Sequence, residues 1–62
     1  MTASQTMDTL TEIARHAHDA RRARKYALAH HAMGRMDAYR TTIALADAAR
    51  GRRDDAIRKL VA

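Results

Sequence analysis

The chain has 62 residues, with 12 Lys or Arg against 7 Asp or Glu, which gives a formal net charge of +5. It contains no Cys, so disulfides, thiolate metal sites and cysteine nucleophiles are excluded. Hydrophobic residues make up 47% of the sequence, but many of them are Ala, and Phe and Trp are absent. The chain therefore has room for one small domain, residues 1–62, with few large side chains to build a core.

The composition and the spacing of apolar residues predict an all-α fold. There is no Pro and there are only two Gly, while Ala, Arg, Leu, Met and Lys, all strong helix formers, are abundant. Apolar residues recur at steps of three and four, not in the alternation that is typical of a half-buried strand. Neither a membrane-length apolar run nor a signal-peptide pattern is visible, so we expect no membrane partner and a cytoplasmic location.

Residues 1–5 are predicted to be a frayed leader, followed by a long first helix at about 6–33, whose first residue the sequence leaves open between Ser4 and Thr9. Thr9 and Glu12 have the spacing of a capping box, in which each side chain satisfies a free backbone donor near the other. No helix breaker follows until Gly34. We predict that the first helix ends there.

A second helix is predicted at about 36–50, ending at Gly51, and a short third helix at about 54–61. Asp54 and Asp55 suit the positive end of that third helix. The result is a small helical hairpin or three-helix arrangement. An alternative joins the first two helices through Gly34, since one Gly costs a helix only about 1 kcal/mol.

A set of residues in the C-terminal half has the spacing of a helix, a tight Gly turn and a second helix. The set consists of Ile43, Ala44, Gly51, Ala56, Ile57 and Leu60. In this spacing the segment resembles one tetratricopeptide unit. The matching packing positions cover about 20 residues, whereas stable arrays need about three units. Arg40 and Asp47 stand where that family has large aromatic residues. We interpret the resemblance as convergent helix packing.

The first helix has an apolar side and a basic side when its residues are placed 100° apart. The basic stripe is flanked by Asp8, Glu12 and Asp19, which have the spacing to form ion pairs with it. Either the stripe is a solvated helix back, or it binds phosphates or an acidic protein surface. The apolar side consists of Leu10, Ile13, Ala14, Ala17, Ala20 and Leu28, and the basic stripe of Arg15, His18, Arg22 and Lys25.

Arg21 and Arg24 project into the apolar sector of this helix. A buried unpaired guanidinium costs several kcal/mol, so this part of the helix is not expected to be dry core. Three alternatives remain: the helix extends past the hairpin at this point, the two arginines meet acidic groups on a partner, or their aliphatic stems extend to nearby water.

No catalytic, cofactor or metal site is predicted. His16 and His18 point to nearly opposite sides of a helix, and His30 and His31 lie about 100° apart, so neither pair chelates. All four histidines are expected at the surface. A short helical hairpin also lacks the concave pocket that a small-molecule substrate requires. We expect a protein that is not an enzyme.

Two functional hypotheses remain. The first is a basic helical protein-interaction module, an adaptor or inhibitor of phage or mobile-element type, which completes its core by docking on a larger protein or by forming a homo-oligomer. The second is a nucleic-acid-binding protein that neutralises phosphates through the first helix and the Arg50–Arg53 segment. The candidate partner-binding residues are Arg15, Arg21, Arg22, Arg24, Lys25, Arg50, Arg52 and Arg53.

Overall fold

The structure, a computed structural model, describes residues 1–62 as two α-helices, α1 (Ala3–Ala32) and α2 (Met36–Val61). The helices fold back on each other through a short turn and pack along their length, with no strands. Two contacts between the helices fix their register. Near the open end Glu12 Oε2 lies 3.8 Å from Lys59 Nζ, and near the turn the rings of His31 and Tyr39 pack edge to face at 5.1 Å. The predicted all-α helical hairpin is confirmed.

The first helix begins earlier than predicted, because a capping box forms at Thr2 and Gln5. The Gln5 amide donates to Thr2 Oγ1 at 3.1 Å, and the Thr2 amide donates to Gln5 Oε1 at 2.8 Å. Thr9, the predicted capping residue, is buried, and its hydroxyl donates to the Gln5 carbonyl. The frayed leader at 1–5 was therefore wrong, since glutamine completes this box as well as glutamate does.

Gly34 ends α1 as predicted, and the alternative of one continuous helix is excluded. Its φ of +72° lies in the left-handed region, which side chains with a Cβ rarely adopt. The Arg35 amide donates back to the His30 carbonyl at 2.9 Å, and the Gly34 amide donates to the His31 carbonyl at 3.1 Å. These bonds satisfy the last carbonyls of α1 and reverse the chain.

The predicted third helix is absent as a separate element, because α2 runs through Gly51 without a break. A helical Gly costs about 1 kcal/mol, and continuing the helix allows Ala56 and Leu60 to pack against α1. The boundary at residue 50 and the new start at residue 54 were therefore wrong. Without a turn at Gly51, the resemblance to a tetratricopeptide unit loses its central feature.

The two helices meet along a seam with alternating steps of three and four residues, the period of a coiled coil. Every seam residue is buried or half-buried, and no large side chain is fully buried. The fully covered apolar positions are all alanines: Ala27, Ala46, Ala49 and Ala56. The seam consists of Thr6, Thr9, Ile13, His16, Ala20, Ala23, Ala27 and His30 on α1, and Tyr39, Thr42, Ala46, Ala49, Arg53, Ala56 and Leu60 on α2.

The hairpin is a thin rod of 48 × 15 × 11 Å. Its radius of gyration is 14.3 Å, against about 10.5 Å for a compact domain of this length. The accessible surface is 4720 Å², against about 4000 Å² for a compact monomer of this mass. Two helices therefore leave much of their side surface uncovered.

Candidate functional site

Most of the large apolar side chains lie beside the alanine seam and remain exposed. Leu10 is 45% exposed, Leu28 57% and Val61 79%. Alanine at the covered positions of the seam lets the two helices approach closely. Of the large apolar residues only Ile13, Tyr39 and Leu60 lie in the seam, and most of the others occupy neighbouring positions on the sides of the rod. They are available to pack against something else.

Most of the exposed large apolar residues lie on one side of the hairpin, which we call the groove face. On α1, Leu10, Ala17 and Arg24 recur at seven-residue steps and so share a side of the helix. Met7, Ala14, Arg21 and Leu28 form a second such row beside them. On α2 the corresponding rows are Met36, Ile43, Arg50 and Ile57, and Asp47, Asp54 and Val61.

A shallow groove of about 260 Å³ lies in the middle of this face and draws residues from all four rows. Small side chains and four arginines make up most of its lining, so anionic groups can approach without meeting bulky residues. The lining residues are Ala17, Ala20, Arg21, Arg24, Ile43, Ala46, Asp47, Arg50 and Arg53. We call this feature the arginine groove.

Most of the charges around the arginine groove have no partner within the chain. Arg53 is the exception, because its Nη2 lies 2.9 Å from Asp54 Oδ1. Arg21, Arg24, Arg50 and Asp47 take part in none of the four ion pairs of the hairpin. Three guanidinium charges thus face one free carboxylate, which leaves a local excess of two positive charges.

Apolar side chains flank the arginine groove at both ends. Leu10 and Ile57 lie toward the open end of the hairpin, and Leu28 and Met36 lie near the turn. Leu10 and Leu28 are 18 positions apart on one helix, a separation of about 27 Å at 1.5 Å per residue. The groove face is therefore apolar at its ends and cationic at its centre.

The predicted basic stripe of α1 lies elsewhere, on the solvent side of the helix. Arg15, Arg22 and Lys25 are exposed, and none of them forms an ion pair. The Arg22 guanidinium lies 5.8 Å from the centre of the Tyr26 ring, a cation–π arrangement. Glu12, which flanks the stripe, contacts Lys59 instead.

The structure divides the eight predicted partner-binding residues between two surfaces that meet at Arg21. It brings Arg21, Arg24, Arg50 and Arg53 together at the arginine groove, although nothing in the sequence joined the first pair to the second. The second group consists of the three candidates that lie on the basic stripe, Arg15, Arg22 and Lys25, and Arg21 also lies beside the last two. Arg52 belongs to neither, because it lies about 200° around α2 from Arg50.

The apolar side predicted for α1 is rotated relative to the seam. Ile13, Ala17 and Ala20 are half-buried, but Leu10, Ala14 and Leu28 are exposed. Thr9 and Ala27 are buried, and neither belongs to the predicted side. The signal for this seam was the alternating three- and four-residue spacing of mostly small residues. The prediction missed it because residues were assigned to the apolar side by hydrophobicity. Sequence reasoning also missed Asp47 as a groove residue.

The histidines differ from expectation in one respect. His16 and His30 lie half-buried in the seam, and the Nδ1 atom of each is buried without a hydrogen-bond partner. The expectation that all four are surface residues was wrong for this pair, because the seam period, not apolarity, selects the buried positions. No three His, Asp or Glu side chains lie close enough together to hold a metal ion.

Neither helix combines the length and the apolarity that crossing a membrane requires. Comparison with protein-family models, with curated proteins and with solved structures finds no match to the chain.

Proposed function

We propose that the chain is a small, non-enzymatic protein-interaction module, an adaptor or inhibitor, that docks on a protein partner through the groove face. The observation that carries this proposal is the separation of the large apolar residues from the alanine seam. A hairpin that needed only its own stability would gain more by burying Leu10 and Ile57 than by exposing them. Exposed apolar patches rimmed by polar residues are typical of protein-interaction surfaces.

The size of the groove face fits this role. A side of the rod measures 48 × 15 Å, about 700 Å², close to the roughly 800 Å² that each partner contributes to a standard interface. Arginine is also enriched in such interfaces, since it combines a long apolar stem with a charged head.

The test compares two leucines on opposite sides of the rod. Leu10 lies on the groove face, whereas Leu45, which is 60% exposed against 45% for Leu10, lies beside Tyr26, Asp19 and Arg22 on the other side. The tagged chain is used to capture partners from the source cells, with nuclease treatment before elution. We expect a captured polypeptide that survives nuclease, is lost with Leu10→Asp and is retained with Leu45→Asp.

Two results would contradict the proposal. One is capture that disappears on nuclease treatment, because it would indicate nucleic acid as the partner. The other is an equal loss of capture with Leu10→Asp and Leu45→Asp while circular dichroism shows that both variants stay helical.

Nucleic-acid binding through the basic stripe is the second candidate. It is favoured by Arg15, Arg22 and Lys25, which are exposed and free of ion pairs, and by the aromatic ring of Tyr26, which lies beside Arg22. Three cationic side chains can neutralise about three phosphates, so log K is expected to fall with log salt at a slope of roughly −3 on duplex DNA. Arg15→Glu should weaken this binding, and Arg50→Glu, on the groove face, should change it less. Affinity no tighter than about 10⁻⁴ M at physiological salt would contradict this candidate.

A further inference from the structure

We infer that the partner of the groove face is an acidic amphipathic helix, which places one or two carboxylates in the arginine groove and apolar side chains against the groove's two ends. This inference rests on the proposed function and specifies the chemistry of the partner. It follows from the charge of the groove, its lining and the spacing of the apolar residues around it.

The charge balance determines the sign of the partner. Arg21, Arg24 and Arg50 are without ion pairs, and Asp47 is the single free carboxylate beside them. A neutral apolar helix covering this region would remove water from three guanidiniums and supply no acceptor, which is costly. A carboxylate on the partner offers charge-assisted and often bidentate hydrogen bonds to arginine.

The lining of the groove determines the kind of side chain. Ala17, Ala20 and Ala46 supply small apolar side chains, and the arginines supply donors. Glutamate matches both, since its methylene stem packs on alanine while its carboxylate reaches a guanidinium. A volume of about 260 Å³ holds one or two such side chains.

The spacing of the apolar ends determines the length of the partner. Leu10 and Leu28 lie about 27 Å apart along α1, so a straight helix that contacts both must span at least about 18 residues. Arg21 and Arg24 lie between them, closer to Leu28. Along the stripe that contacts the groove face, the partner helix is therefore apolar at one end, acidic in the middle and apolar at the other end. This is an example of helix-in-groove recognition.

A second copy of the chain fits this face less well. Two groove faces in contact would bring six free guanidiniums together with two free carboxylates, and the excess charge would lie near the centre of the interface. An acidic helix neutralises the same groups. The charge therefore favours a foreign partner over self-association.

The test compares the affinities of two peptides for three forms of the protein. The acidic peptide is a designed amphipathic helix of about 22 residues with a leucine stripe and two central glutamates, and the neutral peptide has glutamine at those two positions. The proteins are the unchanged chain, Arg24→Gln in the groove, and Arg15→Gln in the basic stripe as the matched control. Binding is measured by isothermal titration calorimetry at low and physiological salt.

We expect the acidic peptide to bind the unchanged chain at least about tenfold more tightly than the neutral peptide, as a charge-assisted pair would require. Arg24→Gln should remove most of this preference, and Arg15→Gln should preserve it. Circular dichroism checks that both variants remain helical, which we expect because both side chains are exposed.

The other outcomes overturn the inference in distinguishable ways. Equal affinity for the two peptides would disprove the acidic partner but leave the groove face as a docking surface. Equal loss of the preference in Arg24→Gln and Arg15→Gln would mean long-range attraction by net charge and no carboxylate in the groove. Binding of neither peptide would count against both the inference and the proposed function. A dimer of the chain that the acidic peptide does not dissociate would assign the face to a second copy.

Discussion

At the scale of single residues, the two glycines show how one residue type takes opposite roles in the same chain. Gly34 has a φ of +72° and reverses the chain, whereas Gly51 lies within α2. An added Cβ would meet no atom within 4 Å at either position, so steric crowding does not distinguish them. The difference is in the backbone alone, and no local sequence signal reveals it.

Replacing each glycine by alanine should therefore change stability in opposite directions. Gly51→Ala should stabilise the hairpin by about 0.5–1 kcal/mol, because alanine favours the helix and restricts the unfolded chain. Gly34→Ala should destabilise it by about 1 kcal/mol or more, because the left-handed conformation strains a residue with a Cβ. Thermal melting followed by circular dichroism measures both changes, and a stabilising Gly34→Ala would contradict the assigned turn.

At the scale of the elements, alanine determines how the helices pack. Ala49 is 2% exposed in the seam, and its neighbour Ala48 lies on the outside of the same helix. Small residues at the seam let the helices approach closely. Leu10 and Ile57 remain exposed because they occupy positions beside the seam, on the groove face.

A larger side chain should affect the stability of the hairpin differently at Ala49, in the seam, and at Ala48, on the outside. Ala49→Leu should destabilise the hairpin by about 1–3 kcal/mol, since there is no space for the added carbon atoms. Ala48→Leu makes the same chemical change on the exposed side and should stay within about 0.5 kcal/mol. Urea denaturation measures both. If Ala49→Leu were as stable as Ala48→Leu, the alanine seam would not be the contact between the helices.

At the scale of the whole molecule, the rod has more surface than a compact chain of its mass and only five buried residues. A small core of this kind seldom supplies more than about 3–5 kcal/mol. Contact with a partner or with a second copy would add burial. The proposed partner and the homo-oligomer predicted from the sequence would compete for the same face.

Self-association and docking of an acidic helix through the groove face should depend on salt in opposite directions. Self-association brings like charges together, so it should strengthen as salt screens them, and the screening length falls to about 3 Å at 1 M. Docking of an acidic helix should weaken over the same range. We expect the melting temperature of the chain alone to be nearly independent of protein concentration at low salt and to rise with concentration near 1 M salt, as mass action requires. Concentration dependence that is strongest at low salt would contradict the like-charge argument.

The sequence by itself determined the helical class and the excess of positive charge, because propensity and composition are local properties. It predicted a helix end at both Gly34 and Gly51, and the chain turns only at Gly34. It also indicated that Arg21 and Arg24 lie outside a dry core. Only the tertiary structure decided that Gly51 is helical, that α1 begins at Ala3, and which side of α1 faces α2. Alanine, threonine and histidine make up most of the seam, which also holds Ile13, Tyr39, Arg53 and Leu60, so hydrophobicity alone did not identify it. The arginine groove joins α1 to α2 across the seam, and its residues come together only once the register of the two helices is fixed.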